Sequence, residues 1–147
     1  MLIDSHAHIQ GKEYVGEIEA VISRAREAGV DTIIAVGGAG DMSSNTEAIA
    51  LAASCPNVYA TVGMHPHDAK DVGDEEIISL KQLTSRPKVI AVGETGLDFY
   101  YNHSPHDVQR RVFARFIHMA RETELPIVVH ERDAAREVAE LLRSEGD

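Results

Sequence analysis

Short apolar runs rich in Val and Ile alternate with amphipathic stretches of helical spacing along the whole chain. Residues 2–5 predict a strand. Residues 14–28 predict a helix: Val15, Ile18, Ile22 and Ala25 recur on one face, and Gly29 is a suitable C-terminal stop. A second strand is expected over residues 32–36, ended by Gly37-Gly38. The next helix is expected from about Ser44, where Ser44-Asn45-Thr46-Glu47 fits a capping box, to a stop before Pro56. A third strand, residues 58–64, precedes a helix capped by Asp74 that buries Ile77, Leu80 and Leu83. Residues 89–92 form the fourth strand in this reading. Ser104-Pro105 then supplies an N-cap and a first-turn proline to a long helix marked by Val108, Val112, Phe113, Phe116 and Ala120. The fifth strand covers residues 126–130, and Asp133 opens a last helix through Val138, Leu141 and Leu142.

Five βα units in succession imply an α/β fold with parallel strands and right-handed crossovers. An open, doubly wound five-stranded sheet suits 147 residues. A closed barrel of eight units needs about 250 residues, so on that reading the chain holds about five of eight units of an incomplete (β/α) TIM-type barrel. The pattern alone favours the open sheet. Nothing in the composition divides the chain, so residues 1–147 are expected to form a single domain. With no Trp and 5% aromatics, the core must be aliphatic and Ala-rich.

The formal net charge is −10, and the cations, among them Lys12, Arg24, Lys70, Lys81 and Lys88, are scattered. A protein that tracks along duplex nucleic acid carries a basic face, because its affinity comes largely from phosphate neutralisation. That class is disfavoured, although bound divalent ions can make one cleft of an acidic protein locally positive. Cys55 is the single cysteine, so no intrachain disulfide forms, and it is expected to be a small buried residue. The N-terminus lacks the pattern of a signal peptide, and every apolar run is too short for a membrane span. The expectation is a soluble cytoplasmic protein without membrane association.

Histidine placement changes the architectural picture. Of eight histidines, five (His6, His8, His65, His67 and His130) fall at the C-terminal ends of predicted strands, and Glu94 joins them after the fourth. That end of a parallel sheet is where ligands bind. His6 and His8 alternate by two, so both imidazoles reach the same side of a strand and can hold one cation. Glu94 lies between Gly93 and Gly96, which leave room for close approach, and its two oxygens can bridge two ions. His130 ends the fifth strand as a further ligand candidate. His65, stiffened by Pro66, is a candidate phosphate contact or proton donor; His67 is a weaker candidate, because its position past the proline points it outward in this reading. Arg132 could hold a phosphate through paired hydrogen bonds. Asp4 and Asp98 could each orient a ligand imidazole or simply shape a turn. His103, His106 and His118 read as loop and helix-surface residues. If His6, His8, Glu94 and His130 share one site, strands one, four and five must converge, and the sheet must curl into a barrel.

Four segments then match a known family in order and spacing: Asp4-Ser5-His6-Ala7-His8, Gly63-Met64-His65-Pro66-His67, Gly93-Glu94-Thr95-Gly96-Leu97-Asp98-Phe99-Tyr100, and Leu125-Pro126-Ile127-Val128-Val129-His130-Glu131-Arg132. Together they resemble the signature segments of the TatD-related deoxyribonucleases, within the wider amidohydrolase-like barrel group. Gln109 and Phe113 also look like the family's pattern. The resemblance implies a binuclear site for two divalent ions (Zn, Mg or Mn), with His6 and His8 on one ion, His130 on the other and Glu94 bridging. It implies that His65 faces the substrate, and that metal-activated water hydrolyses DNA phosphodiesters, from single strands or strand ends. It also implies further barrel strands that supply another His and a general-base Asp. The edge strands without those units would be prone to association, with a partner or with the missing C-terminal part. Two other readings use the same residues: an amidohydrolase or esterase on the same barrel, and a catalytically incomplete unit that serves only in assembly.

Overall fold

The computed structural model describes residues 2–146. Five strands, β1 (Leu2–Ala7), β2 (Val30–Val36), β3 (Val58–Val62), β4 (Val89–Asp98) and β5 (Ile127–Arg132), alternate with five helices. The helices are α1 (Ile18–Glu27), α2 (Ser43–Ser54), α3 (Asp74–Leu83), α4 (His106–Thr123) and α5 (Ala135–Gly146). Two 3-10 turns, Lys12–Tyr14 and Pro66–Asp71, follow β1 and β3.

Every neighbouring pair of strands is parallel, and the spatial order is β1-β2-β3-β4-β5. This order decides between the two architectures. Right-handed crossovers that always step to the next strand in the same direction put every helix on one face. A doubly wound sheet needs a reversal of strand order, and none occurs. The helix-facing side of the sheet, with Ile33, Ala35, Val58, Ala60 and Val62, packs with Ile22, Ala48, Ala52, Leu80, Phe116 and Met119 in one buried cluster. A second cluster joins Leu97 to Phe113, Ile117 and Val138. The chain is thus a curled α/β half-barrel.

Several boundaries differ from those expected, for identifiable reasons. The helix expected from residue 14 begins at Ile18. Gly16 at φ +84° separates it from the first 3-10 turn, and Val15 is exposed rather than on the buried face. The capping box expected at Ser44 is absent: Ser44 is inside α2, where its hydroxyl accepts from Gly38 N (2.9 Å) and donates to Asp41 O (2.8 Å). Beside it, buried Asn45 bonds both Gly63 N and Gly63 O. These two side chains therefore fix the ends of β2 and β3. Ser104 likewise does not cap α4; it is buried, donates to His67 O (2.7 Å) and accepts from Lys70 N (3.0 Å). Gly73 rather than Asp74 is the N-cap of α3, and Glu131 rather than Asp133 holds the approach to α5 by accepting from Ala134 N. Cys55 is half-buried. Among the described residues no helix is long and apolar enough to cross a membrane.

The largest departure is β4, which continues six residues beyond the expected end, through Gly93, Glu94, Thr95, Gly96 and Leu97 to Asp98. Gly93 (φ +133°) and Gly96 (φ +146°) explain it. A Cβ at Gly93 would strike the Val128 carbonyl, and one at Gly96 the His130 carbonyl. Two glycines let β5 lie against β4 from Val92 to Asp98 and bring His130 opposite Gly96 in the ladder.

Candidate metal centre

Glu94, on β4, occupies the middle of the site, buried at 7% exposure, with histidines from three other strand ends around it. His6 Nε2, from β1, lies 3.2 Å from Glu94 Oε2, and His8 Nε2 lies 3.7 Å from the same oxygen. His130 Nδ1, from β5, lies 3.0 Å from the other oxygen, Oε1. His65 Nε2, just after β3, lies 3.0 Å from His130 Nδ1. In a flat sheet three inter-strand steps would hold β1 and β4 about 14 Å apart, beyond the combined reach of a histidine and a glutamate. The His6–Glu94 contact exists because the sheet curls. Loop bonds maintain the curl: Glu94 N donates to Gly37 O and His65 N to Gly38 O, tying the third and fourth strand ends to the loop after β2. The result is a cavity of about 610 Å³ lined by these five residues with His67, Asp68, Lys70 and His103 and the loop at Ala39-Gly40.

Hydrogen bonds set the tautomers. His8 Nδ1 lies 3.1 Å from the carbonyl oxygen of Val36, which can only accept, so Nδ1 carries hydrogen and Nε2 presents a lone pair to Glu94. His130 Nε2 lies 3.2 Å from Asp98 Oδ2, so its Nδ1 presents a lone pair to Glu94 Oε1. A lone pair aimed at a carboxylate oxygen needs a cation between them. A proton is one such cation: the hydrogen bond to Glu94 lifts the His130 pKa above its ordinary value, against burial, with the charges of Glu94 and Asp98 adding to the rise. A divalent metal ion is the other, and two imidazoles with a carboxylate are the donor set such ions take. Burial works against the Glu94 charge. The His130 hydrogen bond and the neighbouring His6, His65 and His130 outweigh it and hold the carboxyl below its usual range.

Two sets of atoms converge closely enough to hold an ion: His6, His8 and Glu94 in one, His65, Glu94 and His130 in the other. The first set fits an ion throughout. In the second, His65 differs from the rest. Its Nδ1 accepts from His67 N at 3.2 Å, so the neutral ring carries hydrogen on Nε2, the nitrogen that faces the cavity. Burial, with the charge of His130, lowers its pKa to about 4 despite Glu94, so the ring is neutral near pH 7. His65 therefore presents an N–H donor rather than a lone pair, and that N–H meets His130 Nδ1 at 3.0 Å.

Asp98 supports this arrangement from beneath. Its buried carboxylate accepts from Tyr100 N and Tyr101 N through Oδ1, and from His67 Nε2 (2.7 Å) and His130 Nε2 through Oδ2. Burial opposes its charge, but those amides and imidazoles outweigh burial and keep it ionised far below the usual carboxylate range. Gln109, buried at the start of α4, holds Asp98 from behind by accepting from its N–H and donating to its carbonyl.

Several residues stand elsewhere than expected. His67 points into the cavity and not outward. His103, expected on the surface, lines the cavity with its ring 4.6 Å from that of His67. Lys70 also lines it, with Nζ 3.3 Å from His103 O. Periodicity carries no signal for a loop histidine or a scattered lysine; only the packing of the Pro66–Asp71 turn against residues 103–104 brings them in. Arg132 does not line the cavity. Its guanidinium lies over the rings of Tyr100 and Tyr101. Asp4 accepts from His6 N within β1, His106 stacks on Phe99, and His118 pairs with Glu145 on the helix surface.

A profile of the TatD-related DNases matches residues 3–147. The chain belongs to the TatD family. It is 40% identical over 146 residues to the uncharacterized metal-dependent hydrolase YabD of Bacillus subtilis, covering 99% of this chain and 56% of that protein. It is 35% identical over 133 residues to the 3'-5' ssDNA/RNA exonuclease TatD of Cronobacter turicensis, covering 90% of this chain and 50% of the relative. The crystal structure of YJJV, a TatD homologue from Escherichia coli, superposes with a TM-score of 0.90 at 28% identity, over 98% of this chain and 56% of that one. The chain thus spans about half the length of the curated TatD relatives it matches.

Proposed function

We propose that this chain carries the metal-binding half of a hydrolase that cleaves phosphodiester bonds at single-stranded nucleic-acid ends, with DNA as its main substrate. The observation that carries the reading is the split environment of Glu94: one oxygen faces His6 and His8, the other faces His130, and the lone pairs of His8 and His130 are fixed towards it. His6, His8 and Glu94 would hold one divalent ion, and Glu94 with His130 a second; Zn, Mn and Mg all suit such mixed donors. Ions held there supply Lewis acidity towards a phosphoryl oxygen and make water nucleophilic near neutral pH. His65, its ring neutral and its Nε2 carrying hydrogen, would donate a hydrogen bond to a phosphate oxygen and so stabilise charge that develops there. Lys70 adds positive charge at the rim. The names of the exonuclease relatives support nucleic acid over an amide or ester as substrate. The acidic surface agrees with it, because a strand end needs a local cleft and no basic track. The free Cys55 suits a reducing compartment, and the proposed location is the cytoplasm.

The test is hydrolysis of a labelled single-stranded oligonucleotide with Mg²⁺, Mn²⁺ or Zn²⁺ added, beside elemental analysis of the protein. Glu94→Gln is expected to lower the rate by at least about 100-fold and to lose bound metal, with an unchanged circular-dichroism spectrum. Full activity in that variant would remove the mechanism.

A further inference from the structure

A run of aromatic rings leads from the cavity to the surface. The His67 ring lies 6.1 Å from that of His130, 4.6 Å from His103 and 5.4 Å from Tyr101. Tyr101 lies near-parallel to His103, 12° apart in plane, and meets Tyr100 edge to face at 4.8 Å. At the outer end Tyr100 and Tyr101 stay 56% and 47% exposed.

These tyrosines are held in place from two sides. Asp98 Oδ1 accepts from both of their backbone amides, at 3.0 and 2.9 Å, and so fixes the turn. The Arg132 guanidinium sits 4.3 Å from one ring centroid and 4.5 Å from the other. The strand that leads into their turn, β4, is flanked by β3 and β5. The 3-10 turn carrying His67 and the end of β5 carrying Arg132 both pack against these tyrosines. Adjacent, half-exposed aromatic rings that continue from the cavity-lining His67 and His103 are a costly surface to leave in water. A ring already fixed loses little freedom when a flat partner covers it.

Charge identifies that partner. Arg132 on the outer side and Lys70 on the cavity rim are cationic, so the covering group comes with negative charge on either side of a flat, apolar face. A nucleobase between two phosphates has that form, and base stacking on aromatic rings with arginine alongside is how single strands are held without regard to sequence. We propose that Tyr100, Tyr101 and His103, with Arg132 clamped on the tyrosines, form a stacking platform for the nucleobase next to the phosphodiester in the cavity. This refines the hydrolase reading and rests on it for the location of the phosphodiester. It gives Arg132 a different task from the paired phosphate contact expected from the sequence: lying over the two rings, it orders them and adds positive charge to the platform.

The test compares two phosphorothioate-linked single-stranded oligonucleotides binding to the full chain with Mn²⁺. One carries 2-aminopurine near its end; the other carries an abasic site there. The base-bearing strand is expected to bind about 10-fold more tightly, with quenched 2-aminopurine fluorescence. Tyr101→Ala should bring that ratio below about 2 and abolish quenching, while Tyr101→Phe, which keeps the ring, should preserve both. A wild-type ratio near one, absence of binding, or an unchanged ratio in Tyr100→Ala/Tyr101→Ala would overturn the platform. Hydrolysis of an ordinary oligonucleotide separates the two readings. Base-dependent binding without cleavage keeps the platform and removes the hydrolase, and cleavage with a ratio near one does the reverse.

Discussion

Each histidine of the site owes its role to the partner of its second nitrogen. His8 is turned into a lone-pair donor by the Val36 carbonyl, and His130 by Asp98. His65 is turned into a hydrogen donor by the amide of His67. Asp98→Asn tests this logic. The asparagine oxygen can still accept from Tyr100 and Tyr101, but its amide can present hydrogen to His130 Nε2 and force the proton onto Nδ1. Metal affinity in a competition titration is expected to fall about 10- to 100-fold, and the ¹⁵N spectrum of His130 should change tautomer; unchanged affinity with an unchanged tautomer would remove Asp98 from the site. His65 gives a pH prediction for metal-free protein. Its folded pKa, about 4, lies below the unfolded value of about 6.5, so the unfolded chain binds more protons between them and stability falls as pH drops through that window. His65→Gln should flatten that part of the stability curve, as followed by denaturant midpoint; a slope equal to wild type would show that His65 titrates normally. The sequence showed His6, His8, His65, His130 and Glu94 because each follows a recognisable strand. It left the role of His67 weak, that of His103 unseen and that of Asp98 undecided, because their roles depend on which side chains the topology brings beside them.

Among the elements, β4 was the least legible. An apolar run predicts a strand over residues 89–92, but in Gly93-Glu94-Thr95-Gly96 only the threonine has strand propensity. That stretch is extended because β5 needs backbone contact there, and contact across so short a gap tolerates no side chain. Gly96→Ala is therefore expected to destabilise the protein by at least about 2 kcal/mol, through strain at φ +146° and the collision with the His130 carbonyl. Gly146→Ala, where an added Cβ meets nothing, should stay within about 0.5 kcal/mol. Equal denaturant midpoints for the two variants would refute the close approach. Helix existence was legible throughout, while caps were not. Ser44 and Ser104 have the chemistry of N-caps but are used to anchor the loops that carry Gly38 and His67. A serine's local hydrogen bond and a tertiary one look alike in sequence.

At the scale of the whole molecule, the choice between an open sheet and a barrel turned on strand order, which periodicity does not encode. Histidine placement did encode it indirectly, since residues on β1, β4 and β5 can share one cation only if the sheet curls. The observed order and the His6–Glu94 contact agree with that. The curl also couples the site to stability, because an ion that draws β1, β4 and β5 together binds the folded chain and not the unfolded one. At about 100 times its dissociation constant such an ion adds about 2.7 kcal/mol. Chelation should then lower the melting temperature on the order of 5–10 °C, and a melting curve indifferent to chelator would argue against ions that bridge strands. The most direct measurement is anomalous diffraction from crystals of this chain soaked in Mn²⁺ or Zn²⁺. The account predicts two peaks, one within about 2.0–2.2 Å of His6, His8 and Glu94 donors and one within the same range of His130 and Glu94. Well-diffracting soaked crystals with no peak between these side chains would contradict it.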